Sequence, residues 1–189
     1  MKNKKKWVFH KNGKKKNAVF VELNGSEPDL DTDKWNKKNI VKTHNCYAYV
    51  LNIIDLNFKS KPQPGYASGY SYLTDSELRD CDKLFKRLKA DNPTIIKSKY
   101  KEKCPKGFAK GYFALDIGDD TDYHFYRKDS NGYWSHKPGT TPVRKHDYSG
   151  KLITAPHKAD RRSDSHNYTK SCGYFCFDKK EAKISNKTI

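Results

Sequence analysis

Apolar and polar positions along the chain predict two helices in its first half. An apolar run begins abruptly at Cys46, directly after polar sequence, and continues to Ile54, which predicts a helix with Cys46 in its first turn. A second helix is expected after Thr74, because Thr74 and Glu77 have the spacing of a capping box. Apolar residues then recur at helical spacing until Asn92, which precedes a proline. These apolar positions are Leu78, Cys81, Leu84, Phe85 and Leu88.

Short alternating or apolar stretches in the second half of the chain predict strands. We expect them at residues 111–117, 122–127, 132–136, 151–153 and 172–177. The second and third of these are separated by a turn sequence that contains Asn131 and Gly132, so they are predicted to form a β-hairpin. Helices followed by strands predict an α+β domain, in which the helix that begins at Cys46 packs on an antiparallel β-sheet.

These elements define a single domain with two extensions. We place the domain at residues 17–180, a basic N-terminal arm at residues 1–16 and a C-terminal tail at residues 181–189. The arm carries eight lysines around Trp7 and Phe9. We predict that it binds neighbouring protein subunits in a larger assembly, because exposed aromatic residues among lysines can anchor in an apolar groove with acidic surroundings.

The net charge of +17 comes from 33 lysines and six arginines. Lysine is a flexible point charge, whereas arginine forms the paired hydrogen bonds that identify base edges. The composition therefore argues against sequence-specific DNA binding and favours nonspecific contact with polyanions.

The five cysteines are an odd number at irregular spacing, which does not indicate a disulfide framework. No apolar run has the length of a signal sequence or a membrane span. These two observations predict a cytoplasmic or virion-associated protein with reduced cysteines. Cys81 is expected in the core, and Cys104 has no evident partner.

Metal binding is considered at two places and favoured at neither. Cys172 and Cys176 are predicted to share one face of a buried strand, where zinc ligation with His157 or His166 is the alternative to two core thiols. The acidic residues 27–33 lack the glycine and terminal glutamate of an EF-hand loop. No Walker loop or dinucleotide fingerprint is present.

Cys46 is the candidate nucleophile of the chain. In the first turn of a helix, free N–H groups and the positive end of the helix dipole lower the pKa of a thiol. His124 in the first strand of the hairpin is the candidate base, and His136 in the second strand is placed to orient it, with Asp147 as the alternative. The competing interpretation is that Cys46 is a small buried core residue.

The order of these three residues resembles the NlpC-type papain-like hydrolases and their CHAP-amidase relatives. The resemblance covers roughly residues 40–140 and is carried by NCYAY around Cys46, YHFYR around His124 and WSHKPG around His136. It implies a papain-like fold and an enzyme that cleaves peptide or amide bonds without metal or cofactor. Cys46 would be the nucleophile, His124 the base and His136 the orienting residue.

The same three motifs are similar to uncharacterised proteins of large DNA viruses and some bacteria. This similarity implies a second hypothesis, a structural minor capsid protein that keeps the papain-like fold. Such a protein would use the basic arm at residues 1–16 to bind neighbouring subunits.

Overall fold

The computed structural model describes residues 23–187. The predicted basic arm at residues 1–16 lies outside the described residues, as does the end of the predicted tail. The described part of the chain folds into short helices and one β-sheet, as the sequence pattern predicts. No helix within residues 23–187 is long and apolar enough to cross a membrane.

In the described part of the chain, five α-helices precede the sheet. They are α1 (Thr32–Trp35), α2 (Lys38–Thr43), α3 (Cys46–Leu51), α4 (Asp75–Leu78) and α5 (Cys81–Asp91). The start of α3 at Cys46 and the capping box of Thr74 and Glu77 are confirmed. The single helix predicted after Thr74 is instead two helices, because the Asp80 carboxylate accepts the N–H groups of Asp82 and Lys83 and so caps a new helix.

Within residues 23–187 the sheet has five strands, and every pair of neighbours is antiparallel. The strands are β1 (Ile96–Ser98), β2 (Phe108–Asp116), β3 (Asp122–Lys128), β4 (Trp134–His136) and β5 (Lys170–Asp178), in the spatial order β1-β5-β2-β3-β4. The α+β class and the β3–β4 hairpin are confirmed. The strand predicted at residues 151–153 is reduced to an isolated bridge between Leu152 and His146.

The two faces of the sheet bury different side chains. Helices α3 and α5 pack on one face, where Val50 and Leu84 meet Phe113, Phe125 and Phe175. The other face is covered by the long segment between β4 and β5. Its buried cluster consists of Tyr112, Ala114, Tyr126, Trp134, Ile153, Tyr168 and Tyr174. The core is aromatic on both faces, which is how a chain with 34% hydrophobic residues buries enough surface.

Four of the five cysteines form two disulfide bonds, Cys81–Cys172 and Cys104–Cys176. The prediction of reduced cysteines is therefore wrong for Cys81, Cys172 and Cys176, and Cys104, for which the sequence shows no evident partner, is bonded to Cys176. The alternative of zinc ligation by Cys172 and Cys176 fails as well, because both sulfurs are already in disulfides. The partners are 91 and 72 residues apart in sequence, so their spacing does not reveal them.

The predicted common face of Cys172 and Cys176 is also wrong, because β5 contains a β-bulge. Its pairing with β2 shifts between Phe113 and Ala114, and this leaves Cys172 as the extra residue. The bulge interrupts the alternation of side chains, so Cys172 packs on the helix-covered face with Cys81. Gly173 beside it adopts a positive φ of 105°.

Candidate thiol and imidazole site

Cys46 is the first residue of α3 and is buried, with 4% of its surface exposed. The side chain of Asn45 caps the helix by accepting the N–H of Ala48 at 3.3 Å. The Cys46 sulfur lies 3.9 Å from the carbonyl oxygen of Tyr123, which immediately precedes His124 in β3. Strand β4 pairs with β3 only at residues 126–128, so residues 122–125 of β3 have no neighbour in β4.

His124 and His136 are in direct contact, as the hairpin prediction requires. The Nε2 atom of His124 lies 2.7 Å from the Nδ1 atom of His136. The other nitrogen of His136, Nε2, lies 3.1 Å from the carbonyl oxygen of His146, to which it donates. A neutral His136 must then accept at Nδ1 from the Nε2–H of His124. This leaves Nδ1 of His124 with a free lone pair, which is the protonation state that a general base needs.

Asp147 does not orient His124, so this alternative is wrong. One carboxylate oxygen of Asp147 accepts the backbone N–H groups of Ser149 and Lys151, and the other accepts the N–H of Asp160. The side chain is thereby committed to its own turn. An aspartate side chain in a turn commonly accepts hydrogen bonds from nearby backbone N–H groups, which leaves it unavailable to a distant imidazole.

Both imidazoles are held neutral by burial. His124 is 2% and His136 is 1% exposed. Burial lowers the pKa of His124 well below its usual value, with a further contribution from His136, and lowers the pKa of His136 to about 4. Tyr126 stacks on His136 with 4.9 Å between ring centroids, and Tyr168 packs on His124 at 5.1 Å.

The predicted fall in the pKa of Cys46 is wrong. Burial raises the pKa of the thiol to about 12, and the carboxylate of Asp122 adds to this increase. The opposing influences are a hydrogen bond from the backbone of Phe125 and the positive charges of Lys137 and Lys61. Helix α3 has only six residues, so its dipole does not outweigh the loss of solvent.

Cys46 and His124 are not hydrogen-bonded to each other within the described residues. The hydrogen bond of the sulfur goes to Tyr123, and Cys46 packs in the cluster that contains Tyr123 and Phe125. Side chains alternate along β3, so the ring of His124 faces the opposite cluster with Tyr126. The Cys46 sulfur and the His124 ring therefore lie near the same end of β3 but on different faces of the sheet.

A loop at residues 61–65 lies over the start of α3. The side-chain amide of Asn45 donates to the carbonyl oxygen of Pro62 at 2.9 Å and to the hydroxyl oxygen of Tyr123 at 3.2 Å. The hydroxyl of Tyr123 donates in turn to Gln63 at 2.5 Å. Two surface depressions of about 430 and 380 Å³ lie elsewhere, lined chiefly by residues 143–147 and residues 159–162. The thiol is therefore closed off from both.

Sequence reasoning missed one functional candidate, Lys137. Its ammonium group is completely buried beside the start of α3 and donates to the carbonyl oxygens of Val41, His44 and Gly139. The available signal was its place in the WSHKPG motif, directly after His136 in a strand of buried residues.

Comparison with known proteins gives one informative match. The chain is 36% identical over 129 residues to "Insoluble matrix shell protein 1" of Ruditapes philippinarum, a match that spans 68% of this chain and 78% of the relative. No family model matches the sequence. No solved structure matches it either.

Proposed function

Because the chain belongs to the family of insoluble matrix shell protein 1, we propose that it is a structural component of an insoluble extracellular matrix. The observation that carries this proposal is the similarity along 78% of the relative. The proposal keeps the assembly role predicted from the sequence and replaces the virion by a secreted matrix as its setting.

The two disulfides support an extracellular setting. Disulfides persist in oxidising compartments and are rare in the cytosol. Here they join β5 to α5 and to the segment that precedes β2, so they cross-link parts of the chain that are distant in sequence. A covalently closed domain suits a protein that must stay folded outside the cell, without chaperones.

The positive charge supports a role in assembly. A net charge of +17 attracts anionic polymers and acidic proteins, and this attraction weakens as salt screens it. Lysine-rich surfaces suit such contacts because they need no fixed geometry in the partner. We propose that anionic matrix polymers and acidic neighbouring subunits are the partners, and that the basic arm at residues 1–16 contributes to their binding.

Co-sedimentation with beads coated with poly-L-aspartate tests this function. The disulfide-bonded protein should pellet with the beads at low salt and be released by salt. Replacing the eight lysines of residues 1–16 by glutamine should weaken binding to the beads and reduce the salt dependence of that binding. The control variant, which combines Trp7→Ala and Phe9→Ala, should leave the binding and its salt dependence unchanged. A protein that stays in the supernatant at low salt would contradict the proposal.

We propose as a second candidate function a papain-like cysteine hydrolase of the NlpC type, on a specific observation. The bond from His124 to His136, fixed by the His146 carbonyl, leaves Nδ1 of His124 free to accept a proton. This reaction requires the start of α3 to shift relative to β3, because the Cys46 sulfur and the His124 ring lie on different sides of the strand; Cys46 then gives its proton to Nδ1. The thiolate attacks the amide carbonyl, and the Cys46 backbone N–H helps stabilise the oxyanion.

The remaining steps of this second candidate balance without a metal or cofactor. His124 returns the proton to the leaving amine as the C–N bond breaks, and the acyl group stays on sulfur as a thioester. Water then attacks the thioester while His124 accepts its proton. The C–S bond breaks, and His124 returns the proton to the Cys46 sulfur. Hydrolysis of a mixed peptide library, followed by mass spectrometry, tests the proposal. Cleavage that persists in Cys46→Ala, or an absence of cleavage in the wild type, would contradict it.

A further inference from the structure

Lys137 is a buried cation without a carboxylate partner among the described residues. None of its side chain is exposed. Its Nζ atom donates to the carbonyl oxygens of Val41 at 3.0 Å and Gly139 at 2.8 Å, and also to that of His44. All three acceptors are neutral. Burial of an unpaired charge is costly, so an ammonium group held by carbonyl dipoles alone needs a reason.

The place of Lys137 in the fold supplies this reason. It follows His136 in the chain, and one of its acceptors, His44, lies two residues before Cys46. Lys137 therefore ties the end of β4 to the turn from which α3 begins. Burial lowers the pKa of Lys137 to about 8, while a negative charge on Cys46 opposes this decrease and the positive charge of Lys61 adds to it.

We propose that Lys137 is a positioning residue that holds the entrance of α3 against β4 and stabilises negative charge on the Cys46 sulfur. The inference rests on the thiol chemistry of the second candidate function, and it concerns formation of the thiolate, which precedes any hydrolysis. Nearby charge matters most where solvent is excluded, because a low local dielectric strengthens the attraction.

Other titratable groups also face Cys46, and the test must separate them from Lys137. They are Asp122, Tyr123 and Tyr126 of β3, Lys61 of the covering loop, and Tyr148 and Tyr168 of the segment between β4 and β5. Asp122 opposes formation of the thiolate, whereas Lys61 favours it. Lys61 is exposed, so solvent and salt screen its charge.

Lys110 is a matched control within the same molecule. It is 3% exposed, and its Nζ atom donates to the carbonyl oxygens of Lys99, Tyr100 and Glu102, as Lys137 does to three others. Burial also lowers its pKa to about 8. Its electrostatic partner is the carboxylate of Glu102 and not a thiol. Removing either lysine removes a buried charge and three hydrogen bonds, but only one of the two lies beside Cys46.

Alkylation by iodoacetamide between pH 6 and 10 measures the thiolate, because Cys46 is the one cysteine outside the two disulfides. Lys137→Met should slow alkylation about tenfold at a given pH, as expected when a thiol pKa rises by one unit. Lys110→Met and Lys61→Met should each change it less than about twofold, and Lys137→Arg should retain most of the wild-type rate. If Lys137→Met does not fold, Lys137→Gln, which still donates to carbonyls, takes its place.

Equal slowing by Lys137→Met and Lys110→Met would overturn the inference, as would an unchanged or faster rate in Lys137→Met. His124→Ala separates the inference from the hydrolase candidate. A loss of rate in Lys137→Met with no change in His124→Ala would support the role of Lys137 and contradict the catalytic pair.

Discussion

Two regions of the sheet are held together by different means. The disulfide region, formed by α5, β1 and β5, is closed by Cys81–Cys172 and Cys104–Cys176. The buried-charge region, formed by α3, β3 and β4, has no disulfide and instead buries Arg127, Asp129 and Lys137 with the two imidazoles. The first should therefore respond to reductants, whereas the second should respond to pH alone.

Arg127 is the centre of the buried-charge region. It is fully buried and pairs with Asp129 at 3.0 Å between Nε and Oδ1. Its guanidinium group also donates to the side chain of Asn52 at 2.8 Å and lies 4.0 Å from the ring centroid of Tyr49. This arrangement ties α3 to β3 through several polar contacts, of which only the pair with Asp129 depends on an ionised partner.

The largest expected effect is the loss of both disulfides. Each closes a loop of 91 or 72 residues, so its removal should cost about 4 kcal/mol by the chain-entropy account. Replacing all four cysteines by alanine should leave the domain unfolded or nearly so at 37 °C, because domains are typically stable by about 5–15 kcal/mol. Urea unfolding followed by circular dichroism measures this. An unfolding midpoint that reductant leaves unchanged would remove the contrast between the regions.

The next effect concerns the buried ion pair. Arg127→Met leaves Asp129 buried without its cation and should lower the free energy of unfolding by about 3–5 kcal/mol. Arg79→Met serves as the control, because Arg79 forms an exposed pair with Asp75 and should cost less than about 1 kcal/mol. Equal costs for the two substitutions would mean that burial of charge does not distinguish this region.

Acid should destabilise the buried-charge region through His136. Its folded pKa of about 4 lies below the unfolded value of 6.5, so the unfolded state binds the proton more readily in this window. Stability is fully present above pH 6.5 and falls by about 3 kcal/mol as the pH decreases to 4. Unfolding free energies measured across this range, in wild type and His136→Gln, test the sign. Identical slopes in both proteins would contradict the assignment.

The smallest expected effect concerns an ion pair between α4 and α5, next to the disulfide region. Glu77 of α4 pairs with Arg87 of α5 at 2.7 Å, and this pairing lowers the pKa of Glu77 to about 2. The stabilisation is present above the usual pKa of 4.5 and is lost as the pH falls towards 2. Glu77→Gln should cost about 1 kcal/mol at pH 7 and almost nothing at pH 2. A constant cost at both pH values would rule out the ion pair as its source.

Local patterns in the sequence predicted local features of the fold. The capping box of Thr74 and Glu77, the start of α3 at Cys46 and the contact of His124 with His136 all follow from spacings of a few residues, or from one hairpin. The disulfides and the break between α4 and α5 were not predicted. Disulfide partners depend on how distant segments meet, and the break depends on Asp80 competing with helix continuation.

The electrostatics of the site were predicted least well. The sequence placed Cys46 at a helix start and so implied a lowered pKa, but burial by Tyr123 and the loop over α3 raises it. Lys137 is missed because lysine is rarely buried, and its place after His136 does not indicate that the carbonyl oxygens of three residues converge on it. Burial is a property of the assembled core, which a local pattern does not contain.

The bulge at Cys172 has a mechanical consequence. It allows β5 to be cross-linked from both of its faces, and it places the bond to Cys81 directly in the path of any force applied between the ends of the chain. Tension from the N-terminal side passes through Cys81 to Cys172, so residues 82–171 bear no load while that bond is intact. Helix α3 lies before Cys81 and does bear it. Under stretching, α3 and the part of β5 after Cys172 would both bear the load, while residues 82–171 would be shielded by the bond between Cys81 and Cys172.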